Sequence, residues 1–156
     1  MNIVIGPYKD DVTEREIFVR VDTYDTWNAD HTLALIIGPL LKALKDDKCG
    51  APLVADEDVP EHLRSTAVPK PENEWDTDDN HFKRWDWVLD EMIWTMEQIV
   101  LDDDGQFYDH SGVDQDASFK TQMNQLKVDT DGLEQYHNRI QRGCVLFGKY
   151  FRSLWS

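Results

Sequence analysis

The stretch NHFKRWDWVLDEMIWTMEQIV, residues 80–100, decides the fold. Read at 100° per residue, Phe82, Trp85, Val88, Leu89, Met92, Ile93, Met96, Ile99 and Val100 form one continuous apolar arc, which predicts a long helix with Trp85 in the core. Asp86, Asp90 and Glu97 line one border of that arc. Trp87 and Trp94, seven apart, project from the opposite side and cannot share a layer with Trp85. Two explanations stand for them. Either the long segment before the helix or the N-terminal strands cover their rings, or the rings form an aromatic patch beside carboxylates, as at protein interfaces.

Working outward, Leu33, Ile36, Ile37, Leu40, Leu41 and Leu44 recur at spacings of three and four. They predict an earlier helix that starts near Asn28 or Asp30, with Asp30 as its N-cap, and stops at Gly50. Pro39 inside it removes the bond to the Leu35 carbonyl. A third helix is expected over residues 132–154, capped by Asp131, with Leu133, Tyr136, Ile140, Cys144, Phe147, Phe151 and Leu154 on its apolar face. Asn138, Arg142, Lys149 and Arg152 share a neighbouring face, which is expected to meet the Asp86, Asp90, Glu97 stripe in antiparallel packing. Gly143 and Gly148 each cost about 1 kcal/mol relative to Ala in a helix, so both are expected to allow close backbone approach, and Gly148→Leu to destabilise the fold.

Residues 2–5 and 15–21 read as strands, the second with Ile17, Val19 and Val21 on a buried face, punctuated by Gly6-Pro7 and the charged residues 9–11. Residues 46–79 hold four prolines and little periodicity beyond one helical turn near Val59–Ser65, the pattern of a functional loop or of disorder. Residues 105–128 read as a loop or weak hairpin. The expected class is therefore α+β and predominantly α: one domain over residues 1–156, with a short N-terminal hairpin, three long packed helices and a long irregular loop.

The chain of 156 residues carries a net charge of -15, unevenly distributed: residues 56–104 hold sixteen carboxylates against four cations, and residues 105–156 are balanced. Direct binding to nucleic-acid phosphates is disfavoured by that sign, and a basic partner is the natural match. Cys49 and Cys144 sit in no metal or redox spacing, which fits a reducing cytoplasm. The longest apolar run, LALIIGPLL, is far too short to span a bilayer.

Catalytic chemistry finds little support. Asp56, Glu57, Asp58, Asp76, Asp78, Asp79, His81, Asp86, Asp90 and Glu91 are suitable ligand types for a divalent metal, but no tight signature orders them. LDDDGQFYDHSG fails as a calcium loop, since Gly105 in the glycine position puts Val100 and Ser111 at the first and last ligand positions. There is no GxSxG and no GxxxxGK. His31, at a helix start, and His137, on a helix border, read as packing or capping residues.

Four segments, VDTYDTWNADHTLALIIGPLLKALK, DEDVPEHLRS, RWDWVLDEMIWTMEQ and LFGKYFRSLW, cover 60 of the 156 residues. Together they resemble an uncharacterised family of small proteins encoded by tailed bacteriophages. The resemblance implies action in the cytoplasm of an infected bacterium or in the virion, and carries no catalytic residue across. The expectation is a binding protein without a cofactor. Its acidic, tryptophan-bearing region, comprising Asp56, Glu57, Asp58, Trp75, Asp76, Asp78, Asp79, Trp87, Glu91 and Trp94, would dock on a basic surface of a host or phage protein. A nucleic-acid enzyme suits that role, because its DNA groove already concentrates Lys and Arg. A metal-dependent enzyme on nucleotides or phosphoesters and a virion or assembly component are the alternatives. Self-association of exposed tryptophans across a two-fold axis is a further expectation.

Overall fold

The computed structural model describes residues 1–7, 15–73 and 75–155. Its centre is the helix built from the opening stretch, α2 (His81–Leu101), which follows the N-terminal hairpin β1 (Asn2–Ile5) and β2 (Ile17–Arg20) and helix α1 (Ala29–Asp47). After it come β3 (Tyr108–Asp109), α3 (Phe119–Gln125), β4 (Lys127–Val128) and α4 (Thr130–Tyr150). The predominantly helical α+β class with a short antiparallel N-terminal hairpin is as expected. The turn expected at residues 9–11 lies outside the described residues.

Helix α2 buries Trp85, Val88, Leu89 and Met92 completely, each contributing about 1.5–3 kcal/mol by leaving water. Ile99 and Val100 are partly covered, whereas Phe82, at the end of the arc, is half exposed. Both other long helices run antiparallel to α2. Helix α1 meets it through Ala34, Gly38 and Leu41, spaced four and three, so that a Cβ on Gly38 would lie 3.4 Å from that of Met96. This corrects the larger set expected: Leu33, Ile36 and Leu40 stay exposed, because small residues are what let α1 approach the bulky face of α2. Helix α4 buries Gly143, Leu146 and Tyr150 most deeply; of the expected seam Phe147 packs against the core and Cys144 is half-buried, whereas Phe151 is exposed.

The caps shift by a residue or two. Asn28 precedes α1 and Asp30 lies in its first turn, where a carboxylate still favours the helix dipole. Helix α1 ends at Asp47, before Gly50, with the Lys48 N–H bonded to the Leu44 carbonyl. Asp129, not Asp131, caps α4 by accepting the Gly132 N–H at 3.0 Å. Residues 105–128 hold more structure than a loop: Ser118 caps α3, and β3 pairs with β4, Tyr108 opposite Val128.

The proline-rich segment before α2 is an ordered strap with short 3-10 turns at Asp56–Asp58, Glu61–Leu63 and Ser65–Ala67. Val54 and Val59 are buried in the core, with Ala51 and Leu63 packed against it. The strap's backbone groups find partners on the helices, as buried amides must. Tyr150 Oη accepts the Ala55 N–H at 3.0 Å, Asn80 Nδ2 donates to the His62 carbonyl at 3.1 Å, and Arg84 Nη1 donates to the Leu63 carbonyl at 3.2 Å. His81 Nε2 lies 3.1 Å from the Ala51 carbonyl.

The hairpin departs from the expectation of one buried face. Ile17, Val19 and Val21 are 69, 54 and 53% exposed, and Phe18 on the other face is 56% exposed. Among the described residues, Ile3 is the strand residue that is partly covered, beside a cleft it shares with Leu35 and Ile36 of α1.

Candidate functional site

The flank of α2 opposite α1 carries Trp87, Glu91 and Trp94, and α4 lies along it. The Arg139 guanidinium sits 3.8 Å from the centre of the Trp94 ring, and that of Arg142 lies 4.9 Å from the Trp87 ring. Tyr136 packs edge-on against Trp94, with ring centres 5.9 Å apart. Between the two indoles the buried Glu91 carboxylate accepts two hydrogen bonds from Arg139, at 3.1 Å from Nε and 2.6 Å from Nη2. This pairing holds the Arg139 guanidinium charge more firmly than usual. Both rings are half-buried beneath their own chain, so this flank is an internal cation–π and ion-pair seam.

The acidic border of the arc finds different partners from those expected. Lys48, Lys45 and Lys42 of α1 pair in turn with Asp86, Asp90 and Glu97. The cations of α4 instead serve Glu91 and the strap. The antiparallel run of the two helices brings the lysines, spaced three apart, alongside the carboxylates, spaced four and seven apart, and α1 rather than α4 occupies that border. The Lys42–Glu97 and Lys45–Asp90 pairs are largely solvent-exposed, worth about 0–1 kcal/mol each, and they fix register more than they stabilise; Lys48 is the more buried of the three lysines.

Asp56, Glu57 and Asp58 sit on the strap where it crosses the end of α4. The carboxylate of Asp56 accepts hydrogen bonds from the Ser65 hydroxyl and N–H at 2.6 and 2.7 Å, which lower its pKa. Asp58 accepts from the Tyr150 hydroxyl at 2.5 Å and pairs with Lys149 at 2.6 Å, while Glu57 reaches Lys149 at 3.4 Å. Burial, then the bond to Asp58, pushes the Tyr150 phenol above its ordinary pKa.

The loop leading into α2 holds the rest. Asp78 pairs in two parallel bonds with the buried Arg84 (2.9 and 2.7 Å), which is the main cause of its lowered pKa. Asp76 accepts from Asn73 Nδ2 at 2.7 Å yet remains exposed, and Asp79 is exposed with no ion pair among the described residues. Trp75 is 92% exposed. Beside it opens a polar cleft of about 610 Å³ walled by Pro69, Lys70, Pro71, Glu72 and Asp76–Asp79.

The ten expected docking residues thus occupy three places: the α2–α4 seam, the strap over α4, and the open loop. Only Trp75, Asp76 and Asp79 combine exposure with freedom from a cationic partner. The sequence reading missed the N-terminal ribbon as an exposed apolar surface. Its signal was present in IFVRV, where apolar residues at both parities leave neither face polar apart from Arg20. Among the described residues, no group of three or more His, Cys, Asp or Glu side chains is arranged to hold a metal ion. No helix is long and apolar enough to cross a membrane among those residues. No family model, curated protein or solved structure matches this chain.

Proposed function

We propose that this protein acts by binding rather than by catalysis, docking its Trp75 loop on a basic surface of another protein in an infected bacterium or a phage particle. The observation that carries the reading is Trp75: an indole left 92% exposed in a segment whose neighbours Asp76 and Asp79 face solvent without cationic partners. A large rigid ring beside uncompensated carboxylates suits a partner patch of Lys and Arg, with the ring supplying contact area and the charges supplying attraction and orientation. The acids of α2 contribute less, since Lys42, Lys45, Lys48 and Arg139 already neutralise them. A nucleic-acid enzyme remains the partner class that best matches spaced carboxylates.

The test is a pull-down from infected-cell extract with the wild-type chain, Trp75→Ala, and the pair Asp76→Asn and Asp79→Asn. The expected result is a partner that elutes with rising salt and is lost with the variants. Retention of the same proteins by all forms, or of none, refutes the reading.

A further inference from the structure

The N-terminal ribbon poses a physical problem. A two-stranded hairpin is marginally stable in water unless further strands or a packed helix support it. Among the described residues β1 pairs only with β2, so the outer edge of each strand offers unpaired backbone groups. The register places Ile3 opposite Val19 and Ile5 opposite Ile17 on one face, and Val4 opposite Phe18 on the other. Val4, Ile5, Ile17, Phe18 and Val19 are each more than half exposed. Directly after the ribbon, Tyr24 and Trp27 stack at 5.9 Å with exposures of 81 and 79%.

We propose that this ribbon is the interface of a homodimer, in which a second copy packs its own β1–β2 ribbon against the first about a two-fold axis. Three observations select a second copy. One ribbon face, Ile5, Ile17, Val19 and Val21, together with Tyr24 and Trp27 exposes on the order of 800 Å² per chain, comparable to the area each partner contributes to a standard stable interface. The strands contain a single charged side chain, Arg20, which lies 3.4 Å from its own Asp22. The two carboxylates inside this surface, Asp22 and Asp25, already pair with Arg20 and the Met1 ammonium, so on a chain of net charge -15 two copies meet here with little carboxylate repulsion. Finally, the surface is self-complementary in kind: an apolar two-stranded ribbon lacks further strands, and an identical ribbon provides two. Isologous pairing closes the assembly at two copies.

The surface is separate from the Trp75 loop, and so is its test. Sedimentation of the full chain over a range of concentrations should give a two-chain mass, and Val19→Glu should raise the dissociation constant at least about tenfold, because the two-fold axis buries the unpaired carboxylate twice. Ile17→Glu, on the same ribbon face, is the second variant should the first fail to fold. Trp75→Ala should leave the mass unchanged. Hydrogen exchange on the wild type should show ribbon amides gaining protection as concentration rises. A one-chain mass at every concentration, an unaltered dimer in both variants, or open-ended assembly overturns the proposal. So does a single chain whose ribbon is protected only by a different protein.

Discussion

Replacing Gly143 by Ala tests the packing of α4 on α2. The new Cβ would fall inside the envelope of Thr95 Oγ1, 2.7 Å from Thr95 Cβ and 3.1 Å from the Glu91 carbonyl oxygen. Rotating the Thr95 side chain removes only the first contact; the other two involve atoms fixed to the α2 backbone, so the helices must separate. Alanine gains about 1 kcal/mol of helix propensity over glycine, but overpacking a well-filled contact costs about 1–3 kcal/mol and more where backbone must move. The separation also loosens the neighbouring Arg139–Glu91 pair. The net expectation is a loss of about 1–3 kcal/mol, or several degrees in melting temperature for a chain of this size. Gly148 supplies the internal control. A Cβ there meets nothing within 4 Å, which overturns the expectation that both glycines serve close approach and that Gly148→Leu is disruptive. Gly148→Ala should therefore gain about 0.5–1 kcal/mol. Thermal and denaturant unfolding followed by circular dichroism measures both, and Thr95→Ala in the Gly143→Ala background should recover part of the loss. Equal stabilisation by the two alanines would refute the argument.

Arg139→Met leaves Glu91 buried without its cation and should cost about 1–3 kcal/mol, with a red shift in tryptophan emission as Trp94 loses its cover. Asp78→Asn leaves the buried Arg84 without its carboxylate and should cost about 2–4 kcal/mol near neutral pH, measured by urea unfolding. Because the Asp78 pKa is depressed in the folded chain, its contribution is present above the unfolded value near pH 4 and is lost as pH falls through the folded one; the variant should show a shallower acid loss. Tyr150 behaves oppositely: its raised phenol pKa means a contribution present below about pH 10 and lost as pH rises through the folded value, so Tyr150→Phe should weaken the alkaline dependence. The same variant frees the Ala55 N–H and the Asp58 carboxylate, and limited proteolysis within the strap should quicken.

The long helices and the strands were legible in the residues alone, because periodicity reports which side of an element is apolar. Trp85 was identified as core on that ground. Prolines hid the order in the strap. Its stability comes from Arg84, Asn80 and Tyr150, residues distant in sequence whose hydrogen bonds no local pattern announces. The hairpin's alternation indicated strands but could not reveal that most of their side chains stay exposed on both faces.

From sequence alone came carboxylates along one border of α2 and cations on one face of α4; the lysines at the end of α1 were not read as their partners. Which cations meet which carboxylates was a tertiary decision. Lys42, Lys45 and Lys48 match the stripe as well as Arg142 and Lys149 do, and charge, being long-ranged and undirected, does not discriminate between them. Close packing does: Ala34 and Gly38 seat α1 on one side of α2, Gly143 seats α4 against Thr95 on another, and the ion pairs follow from where the backbones can touch.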